Sequence, residues 1–315
     1  MEKLKIKHVL FEISDSCNFR CRYCYFHEKK YVKAVNLEKA KKIIRALKRN
    51  FDIQTIGFTG GEPLIRKDIF KILAYCKKLD LKTSIGTNGS LIDRSNISSI
   101  KKYVDTITIS IDGDREYFNW ITNSSSYDKV AAGLELLNSI DMPFGVHITV
   151  TPYNLKSLAS LINRSKILGA KFVQVGDVQV TQGMSGKEFK NLILSSGQLT
   201  NLYKIISVYR NREENFIKYA FVSKNDLGAE VLWEKKLRKF FHPFFVISAD
   251  GKLYPMVDVD NKWILSDDVA SEKIDIQKLN TYISKVPEMI ATAKRMLKNQ
   301  EVISPYSIIR DVLKK

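Results

Sequence analysis

Six short apolar runs, each followed by a helical pattern, constrain this chain of 315 residues more than any other feature. The runs are HVLFEIS at 8–14, TIGFT at 55–59, LKTSIGT at 81–87, DTITISID at 105–112, FGVHITVT at 144–151 and KFVQVGDV at 171–178. They are short, rich in β-branched residues, and read as strands. Between them, NLEKAKKIIRALKR opens at a capping Asn36 and repeats apolar residues at Leu37, Ala40, Ile43, Ile44 and Leu47. KDIFKILAYCKKL, the stretch near 94–102, DKVAAGLELLNSI and LKSLASLINRSKIL carry helical patterns of the same kind. Strands alternating with helices imply parallel pairing through right-handed crossovers. Six such pairs fall short of the eight that close a TIM barrel, so the predicted fold is α/β, a partial (β/α)6 TIM-like barrel.

The rhythm breaks near residue 178. VTQGMSGKEF is punctuated by glycine, QLTNLYKIISVYRN reads as a helix, and FFVISADGKLYPMV reads as a hairpin around Asp250-Gly251. The rest of the chain to Lys315 reads as mostly helical. Two domains are predicted: the barrel over 1–215 and a small α+β C-terminal appendage over 216–315. A hydrophobic share of 44% is ample for a core. No apolar run approaches the roughly 20 residues of a membrane span, and the N-terminal stretch lacks a secretory cleavage site, so a cytoplasmic protein is expected. The net charge of +17 is spread over polar helix faces such as KAKKIIRALKR and KKLRKF, with no dense tract. It reads as solubility, and no nucleic-acid partner is expected.

Of four cysteines, three crowd into SDSCNFRCRYCYF, as Cys17, Cys21 and Cys24. A disulfide framework wants an even set and an oxidising compartment, and structural zinc wants four ligands. A zinc knot completed by His27, or three incidental thiols, are the plain alternatives. Three thiolates can instead hold three irons of a cubic 4Fe-4S cluster and leave the fourth iron open. The stretch follows the first strand, on the face where barrel-like parallel sheets carry their function. The fourth cysteine, Cys76, shares a helix face with Ile69, Ile72 and Leu73 and reads as a core thiol.

The CxxxCxxC spacing, with the aromatic Tyr23 before its last cysteine, resembles the radical S-adenosylmethionine (radical SAM) superfamily. The rest of the superfamily pattern follows in order: Gly60-Gly61-Glu62-Pro63 after the second strand, Thr87-Asn88-Gly89 after the third, and Ser110-Ile111-Asp112-Gly113 at the end of the fourth. The resemblance implies one 4Fe-4S cluster on the three cysteines. It also implies S-adenosylmethionine held around Tyr23, Gly60, Gly61, Glu62, Pro63, Asn88, Ser110 and Asp112, and a 5′-deoxyadenosyl radical that abstracts hydrogen from substrate. Glu62 is expected to meet the amino group of S-adenosylmethionine, and Ser110 and Asp112 to point into the barrel mouth.

The wording TGGEPL, TNGS and SIDG resembles the branch of molybdenum-cofactor biosynthesis enzymes and of maturases with SPASM or twitch domains. Two departures stand out. Ile121-Thr122-Asn123 replaces a triplet that usually carries arginine, and Met256 replaces a hairpin cysteine. The appendage is therefore expected to be SPASM-like without a metal, and a redox-neutral or reductive outcome is favoured. The implied partners are a peptide or small-molecule substrate, anionic ones included, and an electron donor such as flavodoxin or ferredoxin, with no membrane. A nucleotide-, sugar- or RNA-modifying radical enzyme and a non-catalytic metal-binding protein are the alternatives.

Overall fold

All six predicted strands form, and they lie side by side in chain order. They are β1 (His8–Ser14), β2 (Thr55–Gly60), β3 (Lys82–Thr87), β4 (Thr106–Ser110), β5 (Phe144–Val150) and β6 (Phe172–Asp177). Each is parallel to the next. The computed structural model describes residues 6–24, 26, 33–178, 187–212, 216–219, 222–223, 245–254, 266–271, 275–300, 302–303 and 312. Met256, His27 and most of the 182–189 loop lie outside them.

Strands from beyond the sixth add to both edges of the same sheet. β7 (Ile217–Tyr219) continues it beside β6, in parallel, and β8 (Val222–Ser223) follows. β9 (Phe245–Ile247) and β10 (Leu253–Tyr254) form the predicted antiparallel hairpin, and β9 lies parallel beside β1. The turn of that hairpin has Gly251 at φ +93°, the left-handed region that glycine tolerates. A side chain there would meet Val35, Lys39 and Ile43, so the hairpin packs on the outer rim beside the first crossover helix. β11 (Val302–Ile303) pairs with β8 in a separate two-stranded sheet.

The crossovers are α1 (Leu37–Asn50), α2 (Ile69–Lys78), α3 (Ile97–Tyr103), α4 (Arg115–Thr122), α5 (Tyr127–Ser139) and α6 (Leu158–Ile167). α7 (Lys187–Lys190), α8 (Ser196–Arg212) and α9 (Ile276–Asn299) follow. The Asn36 side chain accepts the Lys39 N–H at 2.9 Å, as the capping argument requires, and α1 buries Ala40, Ile43, Ile44 and Leu47. Cys76 is fully buried on α2 with Ile69, Ile72 and Leu73. α4 is an element the periodicity did not reveal. It has only eight residues, and it is set by its ends: the Asp114 carboxylate accepts the Tyr117 N–H at 3.0 Å, and Asn123 stops the helix at φ 48°.

The apolar core lies between the sheet and its helices. Phe11, Ile13, Ile56, Phe58, Ile107, Ile109, Val146, Ile148, Val173 and Val175 alternate into it. Side chains one residue out of phase face the inside of the half-barrel, and many are polar. Ser110, His147 and Gln174 stand in register there on adjacent strands, and the His147 ring lies beside Gly176. No helix among the described residues is long and apolar enough to cross a membrane.

Candidate functional site

The segment after β1 carries Cys17, Cys21 and Cys24 at the C-terminal end of the sheet and is held from three directions. From the β2 side, the Gly61 and Glu62 N–H groups donate to Ser14 O at 3.1 Å and Ser16 O at 2.7 Å. Gly60 has φ +121°, and a Cβ on Gly61 would lie 2.0 Å from Ser16 O. The two glycines are thus required where two backbones meet. From the β3 side, Asn88 Nδ2 donates to Asn18 Oδ1 at 2.8 Å and lies 4.0 Å from Cys17 Sγ, while Asn18 Nδ2 donates to Ser90 Oγ at 2.8 Å. From α4, Thr122 O accepts the Arg20 N–H at 3.1 Å and Ile121 O accepts the Arg22 N–H at 2.8 Å. Arg22 Nε also donates to Trp120 O at 3.0 Å. Two residues of the triplet that departs from the superfamily wording therefore grip the cysteine loop through their carbonyls.

Two buried carboxylates tie the surrounding loops together. Glu62 Oε1 accepts the Leu64 N–H at 3.0 Å and the Thr87 hydroxyl at 2.8 Å, and Oε2 accepts the Asn88 N–H at 2.8 Å. Burial pushes its pKa up, against the pull of those three donors. Asp112 accepts the Tyr23 hydroxyl and, at 2.7 Å, the Thr149 N–H. Burial lifts its pKa to about 6. Asn154 Nδ2 donates to Asp112 O at 2.8 Å and Thr149 O at 2.9 Å, fixing the backbone around that carboxylate. Tyr23→Phe should leave one Asp112 oxygen without its donor and lower stability by about 2 kcal/mol, measurable by thermal denaturation.

None of the three loop cysteines is in a disulfide, and all three are half-buried. Burial pushes the Cys17 thiol up; it pushes Cys21 well above its ordinary value, and neighbouring Cys24, Asp112 and Cys17 add to that shift. Thiolates brought together in this way call for a positive partner. No three His, Cys, Asp or Glu side chains among the described residues close a cage around a single ion. A cubic cluster takes each thiolate on a separate iron, so this donor set fits a cluster better than a mononuclear site.

Residues 11–164 match the family described as the Radical SAM superfamily. This stretch is a radical SAM domain. Such a domain works with a 4Fe-4S cluster and S-adenosylmethionine. The chain is 33% identical over 180 residues to an uncharacterized protein of Methanocaldococcus jannaschii, covering 53% of this chain and 61% of that one. It is 28% identical to an AdoMet-dependent heme synthase of Methanosarcina barkeri over 51% of this chain and 48% of the other. It is also 24% identical to a probable GTP 3′,8-cyclase of Saccharolobus islandicus, over 75% and 78%. The chain thus spans about half to three fifths of the first two of these relatives. The partial-barrel fold is shared with native anSMEcpe bound to AdoMet and the Kp18Cys peptide, at a TM-score of 0.70, 20% identity and coverage of 90% and 84%. It is shared as well with Streptococcus suis SuiB bound to the precursor peptide SuiA, at 0.67, 16%, 88% and 67%.

The structure brings Tyr23, Glu62, Asn88 and Asp112 around the radical SAM cysteine loop, while Ser110 stands in register with His147 on the inner face. Sequence reasoning passed over Asn18, Ser90, Arg22, Trp120, Asn154 and His147. Asn18, Arg22 and Ser90 lie inside the quoted motifs, and His147 occupies an out-of-phase position in the fifth strand. Trp120 and Asn154 carried no local signal.

Proposed function

We propose that this chain is a radical SAM enzyme that acts on a peptide or small natural-product substrate. The observation that carries the reading is the gathering of Cys17, Cys21 and Cys24 on one loop, gripped by the turns after β2 and β3 and by α4. The three cysteines would hold one 4Fe-4S cluster, and Tyr23, Gly60, Gly61, Glu62, Pro63, Asn88, Ser110 and Asp112 would surround S-adenosylmethionine. When bound, these two cofactors supply a 5′-deoxyadenosyl radical that abstracts hydrogen. Asn88 and Asn18 orient the loop around Cys17, and Glu62 keeps the turns after β2 and β3 in register with each other. Ser110, His147 and Gln174 offer hydrogen-bonding groups to whatever enters the half-barrel. The only remaining cysteine, Cys76, is locked in the core, so no thiol set is left for a second cluster. That favours a redox-neutral or reductive outcome, with a flavodoxin or ferredoxin as electron donor and a metal-free appendage over 216–315.

The peptide reading is supported by the peptide ligands of anSMEcpe and SuiB. A nucleotide substrate is the second reading, favoured by the similarity to the probable GTP 3′,8-cyclase over 75% of this chain. Anaerobic reconstitution should give about four irons per chain, and dithionite with S-adenosylmethionine should give 5′-deoxyadenosine and methionine. Replacing Cys17, Cys21 and Cys24 together by alanine should abolish both. About eight irons, or an intact cluster in the triple variant, would sink the reading. GTP that accelerates the reaction more than peptides do would move the substrate to the second reading.

A further inference from the structure

The C-terminal ends of β4 and β5 open on a cleft of about 430 Å³ walled by Tyr117, Trp120 and Tyr153 and rimmed by Asp114 and Glu116. The ring centroids of Tyr117 and Trp120 are 5.5 Å apart, and those of Trp120 and Tyr153 are 5.3 Å apart. Tyr117 is fixed by a 2.7 Å hydrogen bond between its hydroxyl and Thr151 Oγ1. Trp120 and Tyr153 are 39% and 55% exposed, an unusual outlay of aromatic surface to solvent. Among the described residues no cationic side chain lines the cleft, in a chain whose net charge is +17. The start of α4 opens here, but its Tyr117 N–H is already taken by Asp114, so the helix end is a poor seat for an anion.

We propose that this cleft binds the cationic side chain of a lysine or arginine in a peptide substrate. The proposal rests on the peptide reading given above. Electron-rich ring faces attract a cation, and carboxylates at the rim add to that attraction. An anionic group would meet Asp114 and Glu116 as like charges, and a purely apolar group would desolvate them without compensation. Trp120 already shows the preference: the guanidinium of Arg22, which does not line the cleft, sits 5.0 Å from its ring centre.

The cleft is joined to the cysteine loop twice. Trp120 O holds Arg22 Nε, and Asn154, in the cleft lining, holds Asp112, which accepts the Tyr23 hydroxyl. Arg22 and Tyr23 are the two residues between Cys21 and Cys24. A peptide anchored by its cationic residue is thereby placed against the wall that braces the cluster loop, with its neighbouring residues at the barrel mouth.

Calorimetric titration of the full-length reconstituted protein tests this with three acetylated, amidated tripeptides: Ala-Arg-Ala, Ala-Glu-Ala and Ala-norleucine-Ala. The arginine peptide should bind about tenfold tighter than either other. Tyr153→Leu and Glu116→Gln, both at exposed positions, should each cut that preference about threefold or more while iron content stays unchanged. Norleucine binding as tightly as arginine, no binding of any of the three, or a preference that survives both variants overturns the proposal. Formation of 5′-deoxyadenosine is scored separately. Its absence alongside an arginine preference removes the radical enzyme reading and leaves the cleft assignment standing, and its presence without a preference does the reverse.

Discussion

Glu62→Ala should lower the stability of the apoprotein by about 3 kcal/mol in urea denaturation. The carboxylate accepts from the Leu64 N–H, the Thr87 hydroxyl and the Asn88 N–H, and it is 1% exposed. Alanine would leave these donors facing a dry gap, and each unsatisfied buried donor costs about 1–3 kcal/mol. The cost of burying the carboxylate, visible in its raised pKa, is relieved at the same time, which keeps the net loss below the sum. Glu62→Gln should fall between, because Gln keeps one acceptor oxygen but turns an N–H₂ group toward one of the donors. In the loaded protein, Glu62→Ala should also weaken S-adenosylmethionine binding roughly tenfold, since the Asn88 loop loses its anchor. Stability equal to that of the parent would mean that the donors find water.

Acidification provides the second large effect. Burial pushes the His147 pKa from its ordinary 6.5 down to about 4. Between these values the unfolded chain binds a proton that the folded chain refuses, so this residue's contribution is full above pH about 6.5 and is lost as pH falls toward about 4. The loss should reach up to about 3 kcal/mol. Asp112 works in the opposite sense: with its pKa raised to about 6, it favours the folded state increasingly as pH falls from about 6 to 4. The two can mask each other in the parent protein, so the comparison to make is His147→Gln against the parent from pH 7 to pH 4.5. The variant should gain stability relative to the parent as pH falls; parallel curves would remove His147 from the account.

Much of this arrangement was legible in the residues. β-branched runs and capped amphipathic helices are local signals, and β1 to β6, α1 and the Asp250-Gly251 hairpin formed where those signals lay. Cys76 was legible because its neighbours at helical spacing are apolar. α4 was not: its eight residues put only Phe118, Ile121 and Thr122 on the buried face, too short a stripe to stand out in a stretch rich in aromatics, and its end depends on the left-handed Asn123. Nor did any local pattern say that β9 would lie beside β1, a pairing 236 residues apart in sequence, as Val9 with Phe245. At the site, the glycines of the β2 turn were legible as places of close approach. That they approach Ser16, and that Glu62 spends its oxygens on Thr87 and Asn88, depends on distant loops meeting.

The grip of α4 on the cysteine loop has a kinetic consequence. Arg22 reaches Trp120 across 98 residues, and Asn18 reaches Ser90 across 72. Loops that long must close before either bond can form, and the partner residues are made well after the cysteine loop. While only β1 has emerged from the ribosome, the three thiols are strung on a floating strand with nothing to aim them. Their arrangement arises after β4 and α4 have docked, so the three thiols would be presented to iron by an assembled half-barrel.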